Sequence, residues 1–206
     1  VPAPAEASQP PPAGETFATE LAGPETFLPP LPTAVVVLRP DDMERNRAFC
    51  RAVLSLPTAR QVEAASVVAP NLIRTRWLVQ IADIPPARAT DCDFLTGTYD
   101  YARAAGLVAS ITPQAGNFAG RGPFLLMIIP DRTGLHVAGL DGSLTPNEDM
   151  AGFVGGWGRA LAESQRRIAI TPRAQPGVVR SVFQLVGAVL RAVTGGAAAV
   201  VEGVVN

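Results

Sequence analysis

Few residues of this chain are of a type and spacing that could carry chemistry. His136 is the only histidine and lies in an alternating apolar stretch. A catalytic role would need a nucleophile and an orienting acid converging on it. No G-x-S-x-G or comparable nucleophile motif occurs, so His136 reads as structural. Cys50 and Cys92 are neither in C-x-x-C spacing nor accompanied by a histidine cluster, which argues against a metal site. In an exported chain they would form a single structural disulfide; two buried thiols are the alternative. Asp91, Asp93 and Asp100 cluster around Tyr99 and Tyr101, a composition compatible with a cation site, but the spacing fits no calcium loop. Helix capping and one buried tyrosine account for it. Gly116, Gly120 and Gly122 follow a helix-like segment and precede a strand, the reverse of the order in a phosphate loop, so a partner-binding loop is the better reading. No catalytic residue, cofactor or metal is expected.

The elements that must position these residues come from 206 residues, enough for one domain with a buried core. The 17 basic and 18 acidic residues nearly cancel, which leaves no field to gather a polyphosphate and disfavours nucleic acid. Every basic residue is arginine, a bias that fits a GC-rich genome. The chain opens VPAPAEASQPPPAGETF, with neither Met nor a basic-then-apolar leader. A mature exported form, freed of its signal segment, is therefore expected, in the periplasm or outer envelope of a bacterium. Ten of the 20 prolines fall within the first 40 residues, so residues 1–32 read as a Pro-rich extended arm. Such an arm is either a linker or is docked through Phe17, Leu21, Phe27 and Leu28.

Residues 33–171 read as a compact α+β domain, a two- or three-layer sandwich around a central mixed sheet. TAVVVLRP from Thr33 is a buried strand. Asp41 with Glu44 opens a helix whose apolar side holds Met43, Phe49, Cys50, Val53 and Leu54. Thr58 with Gln61 opens a second short helix through Ala69. Ile73, Thr75, Trp77, Val79 and Ile81 alternate with polar residues, as a half-buried strand does, until Pro85 and Pro86. Residues 91–111 are helix-compatible, with interruptions at Gly97 and Gly106. Phe124–Ile129 and Leu135–Leu140 flank the turn PDRTG and predict a hairpin. Thr145 as cap, Pro146 and Glu148 predict a last helix with Met150, Phe153, Val154, Trp157 and Leu161 on its covered side.

This order of elements resembles the thioredoxin-like arrangement, and GRGPFLLMIIPDRTGLHVAGLDGSLTPNED is similar to the second half of that family. The resemblance implies that Pro123 is the family's cis-proline. Redox members need C-x-x-C at the head of the first helix, where this chain reads PDDME, so thiol–disulfide exchange is not implied. In such a sheet the first and second helices lie on opposite faces. Cys50 and Cys92 could then bond only around an edge, and a bond across one face would favour another two-layer topology.

Residues 172–206 read as an appended amphipathic helix. Arg180, Arg191 and Glu202 are the only ionisable side chains between Val178 and Val205 and recur every eleven residues, which is close to three helical turns. With Gln184 they form a polar stripe. Val179, Val182, Phe183, Val186, Leu190 and Val193 lie on the wide apolar arc that remains. Such an arc suits a membrane interface or packing between subunits. The sequence therefore points to a non-enzymatic cell-envelope protein, a structural or adaptor subunit of a membrane-associated assembly whose partners are copies of itself or other proteins. A small secreted enzyme or thioredoxin-like redox factor is the alternative.

Overall fold

The computed structural model describes residues 18–24, 33–58, 61, 74–115, 118, 120–131, 134–170 and 199–205. Its centre is a mixed sheet of six strands: β1 Ala18–Ala22, β2 Thr33–Val37, β3 Arg74–Leu78, β4 Phe124–Asp131, β5 Gly134–Asp141 and β6 Ala199–Val205. They lie in the order β1-β3-β2-β4-β5-β6. β1 and β2 run parallel to β3, whereas β4, β5 and β6 continue from β2 in antiparallel fashion.

The β-branched run of β2 is buried at all five positions, as a strand covered on both faces must be. β3 keeps its alternation: Thr75 and Trp77 are buried, whereas Arg74 and Arg76 are partly exposed. The hairpin forms as its turn chemistry predicts, and Phe124 through Met127 have no exposed surface.

Among the described residues four α-helices accompany the sheet: α1 Met43–Leu54, α2 Cys92–Gly97, α3 Tyr101–Ala115 and α4 Met150–Ile170. Asp42, one residue later than the expected Asp41, caps α1 by accepting the Arg45 N–H. Thr58 and Gln61 form the expected reciprocal cap: Gln61 N donates to Thr58 Oγ1 at 3.2 Å and Thr58 N to Gln61 Oε1 at 2.8 Å. The rest of the helix predicted through Ala69 lies outside the described residues. Gly97 ends α2 as expected, but α3 runs through Gly106 without a break, where its neighbours carry the helix over one unfavourable residue. Met150, Phe153, Val154, Trp157 and Leu161 of α4 are all buried. Phe49 of α1 stacks with Trp77 and meets Phe153, its ring centroid 6.3 Å from each, which ties both helices to the sheet.

Three further expectations are corrected. Residues 1–32 are not only an arm, because β1 lies within them and pairs with β3 in five-residue register. The C-terminal segment is not a helix to its end. Residues 199–205 form β6, whose valines suit a strand and whose backbone extends the sheet beyond β5. The start of α4 lies later than Thr145. Thr145 closes a turn through its N–H to Gly142 O at 2.9 Å, a 3-10 turn follows over Asn147–Asp149, and α4 begins at Met150.

Candidate functional site

The polar groups with the most unusual surroundings meet where the head of α1, the Gly122–Pro123 peptide and the loop after β5 come together. Arg45 projects from the first turn of α1 and is 4% exposed. Its Nε donates to Gly122 O at 2.6 Å, one Nη to Asn147 Oδ1 at 3.3 Å and the other to Gly142 O. One guanidinium thus joins three segments far apart in the chain, and its planar fork suits several carbonyls at once. Burial lowers the Arg45 pKa, and the charge of Arg121 lowers it further, while Asp42 and Asp141 act in the opposite direction. Arginine stays charged regardless.

The Gly122–Pro123 bond is cis, and Gly122 has φ +72°, a conformation that glycine adopts without steric cost. Its N–H donates to Ser143 Oγ at 2.9 Å, and Ser143 donates in turn to Asp141 through both N–H and hydroxyl. Gly142 N donates to Pro123 O at 2.9 Å. A Cβ at residue 142 would meet Pro123 O and the Phe153 ring at 2.9 Å, so glycine is required there. Arg121 and Leu144 stand at the rim, Leu144 with 83% of its surface exposed.

Cys50 and Cys92 are joined in a disulfide with Cα atoms 5.7 Å apart. Cys50 is buried in the third turn of α1, and Cys92 is the first residue of α2, so the bond fastens α2 beside α1. Asp91 caps α2 by accepting from Asp93 N and Phe94 N, and Asp100 accepts from Arg103 N at the head of α3. The Phe94 N–H, then Arg88, lower the Asp91 pKa. Tyr99 is fully buried: its hydroxyl donates to Val36 O at 2.6 Å and accepts from Leu38 N at 3.3 Å. The acidic cluster and its tyrosines are therefore helix caps and core.

Leu21, in β1, packs against the core; Phe17, Phe27 and Leu28 lie outside the described residues. So do Val179, Arg180, Val182, Phe183, Gln184, Val186, Leu190, Arg191 and Val193. Glu202 sits in β6 opposite Ala138, not on a helical stripe. His136 pairs with Ile129 on one side and Val204 on the other. Among the described residues no helix is long and apolar enough to cross a membrane, and no group of His, Cys, Asp or Glu could hold a metal ion. The buried Arg45 bracket carries no signal in the sequence, because its acceptors are backbone carbonyls of distant loops. No family model, curated protein or solved structure matches the chain.

Proposed function

We propose that this chain is an exported, non-enzymatic cell-envelope protein, a structural or adaptor subunit of a membrane-associated assembly, built on a thioredoxin-like scaffold. The disulfide carries the reading. Both cysteines are engaged with each other between α1 and α2, and such bonds persist in oxidising compartments. Where redox relatives would carry their thiol pair, this chain has Pro40, Asp41, Asp42 and Met43, and Asp42 caps the helix.

The scaffold assignment draws support from the strand order β1-β3-β2-β4-β5, with three parallel strands followed by two antiparallel ones, and from the cis Pro123 before β4. Attachment of Cys50 to the short α2, not to α3, is compatible with helices on both faces of the sheet. The apolar arc of residues 178–198 is the proposed means of attachment to a membrane or to neighbouring subunits.

The test is fractionation of the producing cells, with thiol alkylation of the unfolded, unreduced chain and a turnover assay on a model disulfide. The expected chain is in the envelope fraction, refuses the label until reduced, and does not turn over the model substrate. A cytosolic chain with two free thiols overturns export. Catalytic disulfide exchange overturns the non-enzymatic assignment in favour of a redox factor.

A further inference from the structure

The sheet ends on β6, which pairs with β5 over seven residues and, among the described residues, has no strand on its other side. Alternate residues of such an edge strand direct N–H and C=O outward, ready to receive another strand. Natural edges are blocked by proline, charged side chains, a bulge or short length. β6 has no proline or bulge and runs for seven residues: its sequence is AVVEGVV, Glu202 is its one charge, and its register with β5 is unbroken. The opposite edge is better guarded, because β1 has five residues and its Glu20 is tied to Arg74 and Arg76.

We infer that β6 pairs antiparallel with β6 of a second copy of this chain, joining two six-stranded sheets into one across a two-fold axis. A second copy supplies an identical edge, and the two-fold arrangement covers both edges in one contact. The register follows from the sequence. A two-fold axis normal to the sheet must leave each residue opposite one on the same face, so it passes through a residue position. An axis at Glu202 would set two carboxylates against each other. An axis at Gly203 instead places Glu202 opposite Val204 of the second copy and Val201 opposite its Val205. The inference rests on the reading of the chain as a subunit of an assembly and specifies the partner and the contact.

The test is native mass spectrometry and sedimentation of the full chain from about 1 to 100 μM, a range that brackets micromolar association. The expected mass rises with concentration from 21.5 kDa to twice that value. Hydrogen exchange at alternate β6 amides should slow over the same range. Val201→Pro and Val204→Pro, both within the paired stretch, remove N–H groups that point in opposite directions, one toward β5 and one outward. The outward variant should keep its circular dichroism and lose about tenfold or more in dimer affinity. A wild-type chain that stays at 21.5 kDa throughout, or a dimer whose β6 amides exchange at a rate independent of concentration, overturns the pairing. A dimer that persists in both proline variants overturns it too. An exported monomer inert toward disulfides would remove this contact and leave the proposed function standing, whereas a β6-paired dimer that exchanges disulfides would do the reverse.

Discussion

Opening the Cys50–Cys92 bond should cost this protein a large part of its stability. The two residues are 42 positions apart, and the bond removes from the unfolded chain the freedom of a loop of that length. Chain-entropy arithmetic for such a loop gives about 4 kcal/mol at room temperature. For a domain of this size that corresponds to about 8–16 °C in Tm. Cys50 is buried, so alanine is the suitable replacement; a serine hydroxyl would bring its own desolvation cost. The assay compares urea unfolding of oxidised wild type, reduced wild type and the Cys50→Ala/Cys92→Ala double variant. Reduced wild type and the double variant should unfold at similar, lower urea concentrations. Reductant should leave the double variant where it is. Equal midpoints for oxidised and reduced wild type would show that the loop argument fails, because α2 would then be held by packing alone.

Arg45→Met should preserve the stem of the side chain and take its bond from Gly122 O, costing about 2–4 kcal/mol in a denaturant series, with relief of a buried charge as a partial offset; a change below about 0.5 kcal/mol would show that the bracket holds nothing. Tyr99→Phe should cost about 1–3 kcal/mol, since Val36 O and Leu38 N lose their partner. Burial holds the Tyr99 phenol well above its ordinary value near 10, so it contributes stability below pH about 10 that is lost as pH rises beyond. The Phe variant should therefore have a flatter alkaline limb, with the smaller share of Tyr101 remaining. Asp91 has a lowered pKa and contributes above pH about 3.9, the contribution being lost as pH falls through its folded value. Asp91→Asn keeps a capping side chain and should flatten the acid limb, measured by fluorescence against pH.

What the sequence disclosed and what it hid divide along a physical line. β2, β3, the β4–β5 hairpin and the buried side of α4 each bury a face through residues a few positions apart, and periodicity reports that directly. The two edge strands do not. β1 reads ATELA, has little β-propensity and follows a proline-rich stretch; its strand state comes from pairing with β3, more than fifty residues away. β6 carries an eleven-residue charge spacing that suits a helix, yet its partner β5 lies some sixty residues upstream. Arg45 was hidden for the same reason. An arginine in the first turn of an amphipathic helix looks solvated until loops 77 and 97 residues away bring their carbonyls to it.

Among the described residues, the two cysteines and the charged groups at the head of α1 are engaged in holding the chain together, and their positions on the helices explain why. A thiolate gains from a helix N-terminus only within the first turn. Cys50 sits in the third turn of α1, beyond that help and out of water. Cys92 does stand first in α2, but the Asp91 carboxylate takes the Asp93 and Phe94 N–H groups and places a negative charge beside it. Neither sulfur is stabilised as a leaving group, so the bond suits a staple better than an exchange centre. At the head of α1 the same holds for charge: Asp42 is bonded to the Arg45 N–H, Arg45 to two backbone carbonyls and Asn147, and Asp141 to Ser143. A scaffold fixed in this way has little freedom left to lose on binding, as the proposed adaptor role requires.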